Sequence, residues 1–103
     1  MQNSKIKSYL GFAKKSNEII YGIDNLEQYN KKISLVVYSN EISERSLKVL
    51  NNLVINKKWK MVKLKNLKLD DLLYTKNCKV IGIKNENLGN AILKQVDEIE
   101  ILN

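Results

Sequence analysis

Apolar and polar positions change period several times along the chain, and each change marks an element. Near the start, Ile6, Tyr9, Leu10 and Ala13 recur at helical spacing, which predicts a first helix from about Ser4 to Lys15. Lys14 and Lys15 fall in its last turn, where cations complement the open carbonyls. Asn17, just beyond, accepts the left-handed conformation of a helix stop. A short apolar run, Glu18 to Tyr21, then ends at the isolated Gly22. A polar, amphipathic segment from Ile23 to about Asn30 begins at once. The pattern predicts strand, tight turn and short helix, with the helix N-terminus presented just after the glycine.

Ile33 to Val37 is a continuous apolar run rich in β-branched residues, as expected of a strand buried on both faces. Ser43 suits the N-cap of a third helix, with Ile42 and Leu47 placed as a hydrophobic staple. That helix carries Leu47, Leu50, Leu53 and Val54 on one face. "WKMVKL", Trp59 to Leu64, alternates and is less apolar, which predicts a strand nearer a sheet edge. Leu69, Leu72 and Leu73 make a short fourth helix, and Cys78 to Ile83 another buried strand. Asn85 caps a last helix with Leu88, Ala91, Ile92 and Gln95 in line, and the alternating tail "DEIEIL" can add a terminal strand.

Strands alternating with helices at this spacing predict a three-layer α/β/α sandwich around a central mixed sheet of about four strands. Its expected core includes Leu35, Val36, Leu50, Leu53, Val80, Ile81 and Ile92. In such folds ligands gather at strand ends and helix N-termini, where unpaired backbone N–H groups point outward.

The 103 residues make one expected domain, 1–103, with no proline, repeat or low-complexity run to suggest a linker. Apolar runs are only a few residues long, and no basic-then-apolar leader opens the chain. Neither a signal peptide nor a membrane partner is expected. The single Cys78 excludes an internal disulfide and fits a reducing compartment, so the cytoplasm is the expected location.

The chemistry available is narrow. With no histidine and one cysteine, the commonest general acid/base and any usual zinc site are missing. The four glycines, Gly11, Gly22, Gly82 and Gly89, are isolated, so no phosphate-binding loop is present. Asp70 and Asp71 are adjacent, and adjacent residues on a helix point in different directions. The inventory predicts a protein that is not an enzyme and carries no metal or cofactor.

Charge points toward a partner instead. The net charge is +7, and no acidic residue lies between Glu44 and Asp70, a gap that holds Arg45, Lys48, Lys57, Lys58, Lys60, Lys63, Lys65 and Lys68. Such an excess attracts phosphate backbones without specificity. The plainer reading is that a lysine-rich composition solvates the surface.

Three stretches, "LGFAKKSNEIIYG", "ISLVVYSNEIS" and "LDDLLYTKNCKVIGI", stand in an order and spacing that extend over about residues 6 to 92. In these the chain resembles the kink-turn-binding ribosomal protein superfamily (the L-seven-Ae type), most closely its small bacterial YlxQ-like branch. The resemblance implies an α/β/α sandwich that grips structured RNA, ribosomal or otherwise, by two elements. One is the N-terminus of the helix after the first strand. Carried onto this chain, its positions are Gly22, Asp24, Asn25 and Gln28. The other is the loop before the late apolar strand, here Tyr74 to Lys79, including Thr75, Lys76, Asn77, Cys78 and Lys79.

The physical basis of such a site is general. Free N–H groups at a helix start favour phosphate, a glycine lets backbone approach, and amides or carboxylates on the first turn can pair with exposed base edges. The chain departs from the family at several of these positions. Asp24 stands for asparagine, Asn25 for glutamate and Gln28 for lysine; Tyr21 and Glu18 stand where lysines are common, and Asp70 and Tyr74 where glycines are usual. Losing a phosphate-binding lysine weakens affinity, and exchanging base readers changes the target expected.

Each residue also has a bland role. Asp24 suits a first-turn acid, Gly22 a turn, Lys76 and Asn77 a solvated loop, and Cys78 a small buried hydrophobe. Trp59, Tyr29 and Tyr74 can pack rather than stack on bases. Two functions therefore stand: a non-enzymatic RNA-binding protein, expected as a monomer, or a family member that keeps the fold as a protein-interaction module. The lost lysine at Gln28 favours the second, and the net charge of +7 the first.

Overall fold

Ser4 opens the first helix, α1 (Lys5–Lys15), by accepting the Lys7 N–H on its hydroxyl at 3.1 Å. The computed structural model describes residues 4–102. α1 stops at Asn17, which sits at φ 56°. The Asn17 N–H reaches the Lys14 carbonyl at 3.2 Å and the Glu18 N–H reaches that of Ala13 at 2.8 Å. This paired closure satisfies carbonyls that a helix end leaves open. The chain continues through β1 (Ile19–Tyr21), α2 (Ile23–Gln28), β2 (Leu35–Tyr38) and α3 (Glu44–Lys57). Then follow β3 (Met61–Leu64), α4 (Leu69–Leu73), β4 (Val80–Ile83), α5 (Glu86–Leu93) and β5 (Ile99–Ile101).

The strands form one mixed sheet in the order β1-β4-β2-β3-β5. β2 and β3 are parallel, joined through α3; β4 runs antiparallel between β1 and β2, and β5 antiparallel along β3. Alternation of side chains divides the core into two layers. Leu35, Val37, Val62, Leu64, Ile81 and Ile83 pack with α1, α4 and α5. Val36, Tyr38, Met61 and Val80 pack with Leu26 of α2 and with Leu50 and Val54 of α3. The fold is the expected α/β/α sandwich. β2 and β4 are buried at every position, which is why they read as unbroken apolar runs. Gly82 in β4 permits the close seating of α2, since a β-carbon there would lie 2.6 Å from Leu26 Cδ2.

The capping expectations also appear in the structure. Ser43 accepts the Ser46 N–H at 3.1 Å and Asn85 accepts that of Leu88 at 3.0 Å. Ile42 and Leu47 both pack against the α2–α3 core, as a staple should.

Several expectations need correction. The alternating tail does add a terminal strand, β5, which covers the outer side of β3 and brings the sheet to five strands. β3 therefore lies one strand in from the edge, with Lys63 opposite Glu100. Leu53 is only partly buried, at the margin of the α2–α3 core. Leu50 and Val54, one turn apart, point at the sheet, and a single residue's rotation of about 100° turns Leu53 toward the helix flank. Leu35, Val36, Val80, Ile81 and Ile92 are core as expected. Ile33 and Trp59 are buried but precede their strands. Trp59 is placed by the left-handed Lys58 (φ 58°) that closes α3, with its own N–H on the Val54 carbonyl at 3.0 Å. Among the described residues, no helix is long and apolar enough to cross a membrane.

Candidate functional site

Sheet register brings three chain turns to one edge. Tyr21 at the end of β1 lies opposite Ile81, and Tyr38 at the end of β2 opposite Val80. The start of β4 is therefore flanked by the C-terminal ends of β1 and β2, and two backbone bonds tie them. The Gly22 N–H donates to the Val80 carbonyl at 3.1 Å, and the Ser39 N–H to that of Lys79 at 3.0 Å. Between these turns lies an open cleft of about 510 Å³. Its walls are Tyr21 to Asn25, the segment of Glu41, Ile42, Ser43 and Ser46, the loop residues Asn77 and Lys79, and Val80 at the start of β4.

Gly22 holds φ 84° and ψ 158°, a backbone conformation that a residue with a β-carbon rarely adopts. Space above it is open, so the demand for glycine is conformational rather than steric. α2 starts there without a side-chain cap. Asp24 and Asn25 are exposed on its first turn. The Asn25 amide is oriented by donating to the Tyr21 carbonyl at 2.7 Å, which leaves its oxygen and second N–H for a ligand.

The loop before β4 is organised by Asp70. Its carboxylate accepts the Thr75 hydroxyl at 2.9 Å, the Asn77 N–H at 3.0 Å and the Cys78 N–H at 2.8 Å. The Cys78 N–H first, then the Thr75 hydroxyl and Asn77 N–H, hold this carboxyl below the usual carboxylate range, against partial desolvation, and the Lys79 charge adds to them. Asn77 takes the left-handed φ of 58° that the loop needs. Burial pushes the Cys78 thiol up, which keeps it protonated and unreactive at neutral pH.

The site residues read from the sequence are thus partly gathered. Gly22, Asp24, Asn25, Asn77 and Lys79 share the cleft. Gln28 does not; it lines a neighbouring depression along the β1 edge with Ile19, Ile20 and Tyr29, which shares Tyr21 and Asn25 with the cleft. Thr75 turns inward to Asp70, and Lys76 is exposed on the loop away from the cleft walls. The Glu41–Ser46 wall was not among the expected site residues. The only signal for it was an acid and a capping serine directly after a buried strand.

Electrostatics temper the picture of a phosphate cradle. Lys79 Nζ sits 3.5 Å from Glu41 and 3.9 Å from Asp70, while Glu41 also holds Lys68 at 3.4 Å. Asp24 and Glu41 face the cleft against Lys79, so its walls are not net positive. Apart from Lys63 within β3, the lysines from Lys57 to Lys68 divide between two ends of the sheet. Lys57, Lys58 and Lys60 precede β3, whereas Lys65 and Lys68 follow it at the cleft end, about 13 Å of strand away. Lys57 is also tied down, donating to the Tyr29 carbonyl at 2.8 Å and lying over the Trp59 ring.

No family model and no curated protein matches the chain. It is similar to a solved structure described as a protein with unknown function from Bacillus halodurans, with a TM-score of 0.82 at 20% sequence identity. The likeness covers 93% of this chain and 100% of that one, and at this identity it extends to the fold alone.

Proposed function

We propose that the protein is a non-enzymatic, cytoplasmic RNA-binding protein, and that the edge formed by the first turn of α2 and the loop before β4 is its binding face. One observation carries the reading: Gly22, Asp24 and Asn25 meet Asn77 and Lys79 in one cleft, although some fifty residues separate the two groups in the chain. The resemblance to kink-turn-binding ribosomal proteins and the net charge of +7 support the same partner. In this reading Asp24 and Asn25 contact bases, and the surrounding lysines hold the backbone.

Crosslinking in cells identifies the RNA, and affinity is then measured for it and for an unrelated RNA of equal length. Asp24→Ala or Asn25→Ala loses about 1–3 kcal/mol on the preferred RNA, on the scale of one specific base contact, and little on the other. If Asp24→Ala tightens binding to every RNA equally, Asp24 is a repulsive charge rather than a base reader. The mixed charge of the cleft favours a second reading, a protein-interaction module in which Asp24 and Glu41 meet a basic partner. Retention of no RNA even at low salt puts that reading ahead.

A further inference from the structure

Tyr74 closes α4 in a conformation that disfavours it. At φ 57° and ψ 45° it occupies the left-handed region, which glycine and asparagine enter readily and a bulky aromatic does not. Its side chain does not pack into the core to offset this; the residue is 77% exposed. One lysine lies over its ring and two more stand on adjoining chain. Lys7 Nζ lies 5.6 Å from the ring centroid, over one face. Lys14 donates to the carbonyl of Leu73, the residue before, at 2.6 Å, and exposed Lys76 follows in the loop. Lys7, Gly11 and Lys14 stand at helical spacing on the side of α1 that meets α4. Gly11 between the lysines leaves open space. The Asp70 carboxylate is turned away to the loop amides, leaving Asp71 as the exposed acid of this helix.

We infer that Tyr74 is a stacking platform for an unpaired nucleotide, with Lys7 and Lys76 placed for the flanking phosphates. The inference rests on the RNA reading and names the form of RNA taken: a single-stranded segment running from the cleft across the β4-preceding loop to α1. An exposed aromatic face with a cation beside it suits a base and its backbone. A protein hot spot instead needs an apolar, water-excluding surround, whereas this ring is open to solvent with a lysine over it. The left-handed strain is consistent with a ring held outward for use rather than for packing.

The test compares native protein with Tyr74→Leu, Tyr74→Phe and Tyr74→Gly by fluorescence anisotropy on a short oligouridine and on an RNA duplex of equal length. Tyr74→Leu is expected to bind oligouridine about fivefold or more weakly, and Tyr74→Phe to stay within about twofold of native. Duplex binding should be unchanged, because its bases are already stacked. Tyr74→Gly should lose oligouridine like Tyr74→Leu while melting at or above the native temperature, since it relieves the strain. Equal oligouridine affinity for Tyr74→Leu and native protein overturns the inference, as does an equal loss on duplex and single strand. If Asn25→Ala weakens RNA binding while Tyr74→Leu changes nothing, the stacking platform alone falls. If native protein binds neither RNA at low salt, the RNA reading falls and the platform with it.

Discussion

Asp70 shows how one side chain shapes a surface it does not form. In the sequence it is half of an acidic pair with no shared chemistry; in the fold it receives two backbone N–H groups and a hydroxyl and so sets the course of residues 75–78. Its folded-state carboxyl lies below the unfolded value of about 3.9. The stability it contributes is therefore complete above that value and lost as pH falls through the depressed one. Thermal melts of native protein and Asp70→Ala should differ most above about pH 5 and converge toward pH 2. A difference in melting temperature that is constant with pH would show that the carboxylate's charge is not what holds the loop. Gly22 and Tyr74 make the complementary point. Both have positive φ, but a glycine advertises such a position in the sequence and a tyrosine does not.

At the scale of elements, periodicity carried most of the information. Every helix and strand read from the apolar pattern exists, and the caps at Ser43 and Asn85 stand where they were expected. Boundaries and phase were less legible. Ile33 and Trp59 are as buried as strand residues without being in strands, because the core reaches past the ends of the hydrogen-bonded ladder. Leu53 looked equivalent to Leu50, since helical spacing identifies a stripe but not its centre. Leu50→Ala should cost about 2–5 kcal/mol in denaturant unfolding, as expected for a fully buried leucine. Leu53→Ala should cost about half as much or less, because its side chain already keeps partial contact with water. Equal losses would place both in the core. Gly82→Ala tests the seating of α2 on β4. Overpacking against Leu26 should destabilise by about 1–3 kcal/mol in the same assay. A neutral result would mean that Leu26 repacks freely.

For the whole molecule the decisive quantity is where the charge goes. The lysines between Glu44 and Asp70 fall in one acid-free stretch of sequence, yet β3 passes through it and carries Lys57, Lys58 and Lys60 to one end of the sheet and Lys65 and Lys68 to the other. If RNA lies along the cleft edge, only the half at that end counts. Lys65→Ala and Lys76→Ala should each flatten the slope of log K against log salt by about 0.7, the share of one phosphate on single-stranded RNA. Lys58→Ala and Lys60→Ala should leave the slope unchanged. Equal effects from both sets would mean diffuse attraction to the whole surface and no binding edge.

The sequence by itself determined the layers of this protein. Burial imposes a period on each helix and strand, and that period survives in the order of residues whatever the strands pair with. It also held the left-handed stop at Asn17 and the turn at Gly22, because these depend on local backbone sterics. Only the tertiary structure decided that β4 inserts between β1 and β2, that β5 covers β3, and that Glu41 joins Asn25 and Lys79 in one cleft. Those relations depend on which strand edges pair across long stretches of chain, and no local period records that choice.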